Sequence, residues 1–249
     1  MNDRLAPIIL ITGTDTDVGK TITTAALATA LAATGRTVAV DKPVQTGVRG
    51  AEQGDVDEIV RLTGIRAVGE GIRLRAAMAP LAAAAHQQHT LPVLEEHLAR
   101  VESLSAHHDH VLVEGAGGLL VRLTASGQTI ADLAGALGPA ADLLVVTRAG
   151  LGTLNHTELT LEALAHRGLR ARGLVIGDWP AMPGPVEVGN HAVLQMMGTP
   201  LLGRIPHGAS DLPGPEFRRR ASTWFRALPA EPPEARGRER ERYAASTGC

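Results

Sequence analysis

Cysteine is almost missing from the 249-residue chain: the only one, Cys249, is the last residue. One thiol excludes a disulfide framework and a cysteine-based zinc site, and it leaves no internal cysteine nucleophile. Aromatic residues are nearly as scarce, at 2% of the sequence: Trp179, Trp224, Phe217, Phe225 and Tyr243. Base-stacking platforms are therefore not expected, and the core must be built from Ala, Val, Leu and Ile. A net charge of −2 gives no reason to expect nucleic acid as a partner. The apolar run Ile8–Ile11 is too short and wrongly flanked for a signal segment, and no run approaches a membrane span. A cytoplasmic protein with no membrane partner is the expectation. Lysine is the scarcity that points somewhere, with only Lys20 and Lys42 against twenty-two arginines. Arginine has been taken wherever generic positive charge serves. A compact, flexible ammonium is not interchangeable with a planar guanidinium, so both lysines are candidates for chemistry.

What is present alternates short β-branched runs with longer helical stretches. Strands are expected at 7–12, 36–41, 110–114, 142–147, 173–177 and, more weakly, 201–205. Helices are expected at 20–34, 56–62, 93–104, 130–137, 154–166 and 186–197, with Met196 and Met197 as core residues of the last. Continuous apolar strands alternating with helices predict an α/β fold, a doubly wound, mainly parallel sheet with helices on both faces. Ligands of such sheets bind beyond the carboxyl ends of the strands. The expected organisation is one domain over 1–227. The Pro-, Arg- and Glu-rich residues 228–249 read as a solvated, disordered tail.

The strongest motif is Gly13-Thr-Asp-Thr-Asp-Val-Gly19-Lys20-Thr21, directly after a strand and opening a helix. Successive backbone N–H groups and the helix N-terminus make a phosphate cradle there. Lys20 reaches outer phosphates and Thr21 can ligate Mg²⁺. Gly13 lies one residue earlier than in the ordinary P-loop pattern, with Thr14 in the usual glycine position. Asp41-Lys42-Pro43-Val44-Gln45-Thr46-Gly47 follows the second strand. Lys42 at that strand end would face a γ-phosphate and stabilise developing negative charge. Glu114-Gly115-Ala116-Gly117-Gly118 ends another strand. Its carboxylate is a natural Mg²⁺ ligand, and its glycines allow close approach of the backbone. Asp55 reads equally as a second metal carboxylate or as a helix N-cap. Gly152-Thr153-Leu154-Asn155-His156 reads equally as an anion site or a capping loop. His107-His108-Asp109-His110 precedes a strand at the edge away from the site and is expected to be a solvated loop.

The sequence GTDTDVGKT, then KPVQTG, a following Asp, VEGAGG and GTLNH resembles the dethiobiotin synthetase family in order and spacing, over about residues 8–210. The resemblance implies a P-loop NTPase fold and a homodimeric, Mg²⁺-dependent ligase of biotin biosynthesis. Such a ligase closes the ureido ring of dethiobiotin from 7,8-diaminononanoate and CO₂ with ATP or another nucleoside triphosphate. In the family the diamine becomes a carbamate, which attacks the γ-phosphate; the mixed anhydride is then closed by the second amine. The resemblance implies nucleotide contacts from Asp17, Val18, Gly19, Lys20, Thr21 and Ile22. Further contacts would come from Gly115, Ala116 and Gly117, and from the base-side pairs Gly177-Asp178 and Pro206-His207-Gly208. It gives Thr21, Asp55 and Glu114 to the metal, which decides the Asp55 question. Lys42, Lys20 and Thr21 would be catalytic, and Thr46, Gly118, Thr153, Leu154 and Asn155 would hold substrate. Two positions depart from the family. Asp17 stands where many members have Glu, and Gly177 stands where many have an Asn that reads the base edge.

Related P-loop proteins fit less well. ParA/MinD-like ATPase switches resemble one another in a lysine early in the loop, where this chain has Thr14 and Asp15. Cobyrinate-amidating ligases carry a cysteine-dependent glutaminase, for which Cys249 alone leaves no room. A degenerate, inactive nucleotide-binding module does not account for the retained Lys20, Thr21, Lys42 and Glu114.

Overall fold

A computed structural model describes residues 5–226. The expected tail at 228–249, with Tyr243 and Cys249, lies outside the described residues. Seven strands form one sheet in the order β3-β2-β4-β1-β5-β6-β7. In chain order they are β1 Ile8–Gly13, β2 Val38–Thr46, β3 Val68–Leu74, β4 His110–Gly118, β5 Ala141–Thr147, β6 Ala171–Trp179 and β7 Leu201–Pro206. Every pairing within it is parallel, as uninterrupted apolar runs such as Ile8–Ile11 require when both faces are covered.

The faces are covered by different helices. On one side α1 (Lys20–Ala32), α2 (Asp55–Thr63) and α8 (Gly214–Arg220) pack Leu27, Ile59, Leu62 and Phe217 onto Ile9, Ile11 and Leu112. On the other, α3 (Pro80–Gln87), α4 (Leu94–Ser105), α5 (Ile130–Leu137), α6 (Thr153–Ala165) and α7 (Pro185–Leu194) bury Ala83, Val101, Leu133, Leu164 and Leu194 against Leu10, Val113 and Val145. Phe217 and Trp224 meet edge to face at 5.1 Å, so two of the few aromatics close the α1–α8 layer. Burial of a side chain the size of Phe217 stabilises by about 1.5–3 kcal/mol. Among the described residues no helix is long and apolar enough to cross a membrane.

Several elements depart from the sequence expectation. β3 was not foreseen, because Gly69, Glu70, Gly71 and Arg73 interrupt its pattern; it is an edge strand, where such residues are tolerated. α3 and α8 were also missed, although Pro80 stands at the first turn of an alanine run, a helix-start signal. β2 does not stop at Asp41. It loses its β4 neighbour there but stays paired with β3 to Thr46. Pro43, which has no N–H to give a ladder, sits in this one-sided stretch. β4 likewise runs through the glycines to Gly118. α7 ends at Leu194, so Met196 is exposed instead of core.

Candidate active site

The divergence of β2 from β4 opens a cleft of about 780 Å³ at the carboxyl ends of β1, β2 and β4. Eleven of the residues expected at the site line it: Asp17, Gly19, Lys20, Thr21 and Ile22 from the P-loop and α1, Lys42 and Thr46 from β2, Asp55 from α2, and Glu114, Ala116 and Gly117 from β4. Thr16, Val44, Gln45, Met78, Pro80 and Val121 line it as well and were not anticipated. Met78 and Pro80 come from the turn entering α3, which only the fold brings alongside; Val44 and Gln45 stood inside a motif already singled out.

The P-loop turns back on itself at two residues of positive φ, Asp17 at 56° and Gly19 at 91°. Aspartate is among the few non-glycine residues that enter this region readily. The loop is braced from β5 by Thr14 N–H donating to Val146 O at 2.9 Å. On the β6 side Gly177 lies so close that a Cβ on it would stand 2.0 Å from Val18 O. In this packing position 177 has no room for a side chain, so an Asn there would have to displace the loop. Lys20 is buried and its Nζ donates to Asp15 O at 3.0 Å. Burial lowers its pKa, against the opposing pull of Glu114.

Lys42 and Glu114 form the centre of the cleft. Both are nearly inaccessible. Lys42 Nζ lies 2.5 Å from Asp55 Oδ2 and 2.8 Å from Glu114 Oε1, and it donates to Gly115 O at 3.1 Å. Burial works against the ammonium charge, but Glu114 and Asp55 outweigh it and hold the Lys42 pKa above its ordinary value. Burial pushes the Glu114 carboxyl up, and the Lys42 charge opposes it. Thr21 donates to Glu114 Oε1 at 2.9 Å. Glu114 Oε2 is buried with no partner, a costly state for a carboxylate oxygen unless a ligand completes it. Asp55 is not a helix N-cap: Gly54 holds that position and Asp55 is the first residue of α2.

The other expected residues lie around this centre. Val18 is buried under the loop, and Gly118 pairs with Gly13 in the sheet. Asp178 and His207 form an exposed pair, Nδ1 to Oδ1 3.0 Å, bridging the ends of β6 and β7. Pro206 ends β7 and Gly208 caps the following 3₁₀ turn. Thr153, Leu154 and Asn155 open α6 outside the cleft lining. The Thr153 hydroxyl is fully buried, donating to Arg148 O at 2.6 Å and meeting Thr147 at 2.6 Å. In the HHDH segment, Asp109 accepts from Thr37 N–H at 2.9 Å and His110 is buried in β4. No group of three His, Cys, Asp or Glu residues suited to a metal occurs among the described residues.

A profile of the AAA domain family matches residues 8–210. The chain is 51% identical to an ATP-dependent dethiobiotin synthetase of Streptomyces coelicolor, over 88% of this chain and 92% of that protein. It is 49% identical to the corresponding synthetase of Rhodococcus jostii, over 88% of this chain and 94% of the other. Among solved structures it is similar in fold to the septum site-determining protein MinD with Mg-ADP from Pyrococcus horikoshii. That similarity has a TM-score of 0.54 at 17% identity, over 86% of this chain and 90% of MinD, and reaches no further than the fold. The P-loop sheet carries the architecture and the identity extends along nearly the whole of both synthetases; the chain belongs to the family of ATP-dependent dethiobiotin synthetases.

Proposed function

We propose that the protein makes dethiobiotin from 7,8-diaminononanoate, CO₂ and a nucleoside triphosphate, with Mg²⁺. The observation that carries this reading is the buried ammonium of Lys42, held between Asp55 and Glu114 beside the P-loop. The fit to Mg²⁺ rests on the donor set: Thr21, Asp55 and Glu114 offer hard oxygens, and Glu114 Oε2 has no other partner. With so few protein carboxylates, phosphate oxygens and water would complete the shell. When bound, the ion neutralises charge on the transferring phosphoryl group.

The remaining work falls to side chains. The Lys42 ammonium, kept protonated by Glu114 and Asp55, stabilises the carbamate formed when one amine adds to CO₂ and loses a proton. A carbamate oxygen then attacks the γ-phosphorus, the bond to the leaving nucleoside diphosphate breaks, and a carbamic–phosphoric anhydride results. The second amine attacks the carbonyl carbon, phosphate leaves and a proton is lost, closing the ureido ring. Lys20 and the P-loop N–H groups hold the phosphates in line. Positioning and charge neutralisation are what phosphoryl transfer needs.

We assign the enzyme to the cytoplasm and to a homodimer formed through α6 and α7. Leu151, Leu159 and Val188 are exposed there, Leu151 by 80%, and the α6 N-terminus with Thr153–Asn155 lies beside them. Leu159→Asp should shift the mass from dimer to monomer in light scattering; a monomeric wild-type protein would remove the assignment. The activity is tested by phosphate release with Mg²⁺, bicarbonate and each nucleoside triphosphate, with and without the diamine, and by the product mass. Diamine-independent release without dethiobiotin would overturn the synthetase reading in favour of an ATPase switch.

A further inference from the structure

Asp55 is the first residue of α2, and its backbone N–H is one of the donors that a helix start leaves unsatisfied. The N-cap is Gly54, which has no side chain to supply an acceptor. The acceptor comes instead from another element. Gln45, on the stretch of β2 that has left β4, is buried, and its Oε1 accepts from Asp55 N–H at 2.9 Å. Its Nε2 donates to Thr46 O at 3.0 Å, which fixes which way the amide faces. Gly54 makes room for the arrangement: a Cβ there would stand 3.1 Å from Gln45 Oε1. Aspartate has a short side chain with two torsions, so its carboxylate goes where its backbone is put.

We infer that Gln45 is a positioning residue that sets the Asp55 carboxylate for the divalent cation, by capping α2 from the neighbouring strand. The inference rests on the reading of Asp55 as a metal ligand given above. β2 thereby carries Lys42 and, three residues on, the group that places the carboxylate Lys42 touches. Strand and helix start are locked in one frame, so ammonium and carboxylate keep their spacing when the cleft fills. Asp57 and Arg73 stiffen the same turn, with Asp57 accepting from Gly54 N–H at 2.8 Å and pairing with Arg73 at 3.2 Å. Neither bonds the Asp55 N–H.

The test measures ADP binding to the full-length protein by equilibrium dialysis, with and without Mn²⁺. The quantity read is the factor by which Mn²⁺ tightens ADP binding. Gln45→Met keeps the length and loses the acceptor. It should lower that factor about fivefold, the loss of roughly one hydrogen bond, while metal-free ADP binding stays within about twofold of wild type. Asp55→Asn should lower it at least as much. Gln45→Asn, too short to reach the N–H, should behave as the Met variant does and stands in should that variant not fold. An undiminished factor in both Gln45 variants, with Asp55→Asn impaired, would overturn the positioning role. ADP binding weakened equally with and without Mn²⁺ would overturn it too, since that is the mark of packing alone. An undiminished factor in Asp55→Asn would instead remove the metal reading beneath it.

Discussion

Removing the charge of Arg100 as Arg100→Met would strand a wholly buried carboxylate. Asp41, on β2 immediately before Lys42, accepts from Arg100 Nε at 2.5 Å and from Nη2 at 3.1 Å. Arg100 reaches it from α4 across Gly69 and Gly71, where a Cβ on Gly71 would stand 2.8 Å from Nη2. Asp41 has no exposure, so no water replaces the lost partner. Breaking one side of a buried ion pair costs about 3–5 kcal/mol. A domain of this size loses roughly 2–4 °C of Tm per kcal/mol, so a fall of about 6–20 °C is expected. The deficit should depend on pH. Burial already holds the Asp41 pKa above the ordinary carboxylate value, against the pull of Arg100, and without Arg100 it rises further. A carboxyl whose folded pKa lies above its unfolded value stabilises the fold below the unfolded pKa, and that contribution is lost as pH rises through the folded pKa. Arg100→Met should therefore be closer to wild type at about pH 5 than at about pH 8. Adding Asp41→Asn should restore part of the loss. Thermal melts by circular dichroism at both pH values decide it. A Tm within about 2 °C of wild type throughout, or a double variant no better than the single, would refute the account.

Lys42→Arg should lower kcat by about 100-fold or more with little change in nucleotide KM, because a planar fork cannot take the place of a point charge between two carboxylates; near-normal turnover would show that any cation serves. Glu114→Gln should raise the Mg²⁺ concentration for half-maximal rate about tenfold, read from a metal titration, whereas an unchanged requirement would remove Glu114 from the metal. His97 is fully buried against Arg100, and burial lowers its pKa to about 4. Its ring resonances should show no titration in NMR spectra down to about pH 5.5; a midpoint near the ordinary histidine value would contradict that burial. Gly177→Ala puts a Cβ against the P-loop backbone and should weaken ADP binding and lower Tm, at a cost of about 1–3 kcal/mol; calorimetric titration with unaltered affinity and stability would show that the loop has room to yield.

The parts legible in the sequence were those written in one local period. β1 and the helix after the P-loop announce themselves, since Ile8–Ile11 is apolar throughout and Gly19-Lys20-Thr21 opens an alanine-rich run. β3 could not be read that way, because an edge strand with glycines making room for Arg100 has lost its apolar signature. The apolar pattern of β2 ends at Asp41, where the strand changes character, but what ends there is only its pairing with β4. For the site, the scarcity of lysine singled out Lys20 and Lys42, and both line the cleft. Gln45 was inside the motif and still invisible as a working residue, because its partner is an N–H ten residues away, on a helix start that sequence left undecided. The direction of the Thr153 hydroxyl, which turns inward to Arg148 O and Thr147, is not legible either: a motif names a residue but does not say which way it points.

The gap between β2 and β4 is a sheet edge turned inward. Strand edges on a protein surface invite other chains to pair with them, and proteins guard them with charge, bulges or proline. Here the stretch of β2 that has left β4 runs along a cleft lined by Lys42, Val44, Gln45 and Thr46, and Pro43 in its midst has no N–H to offer. An edge that elsewhere would be a liability is thus spent as one wall of the working cavity, fixed in place by β3 on its other side.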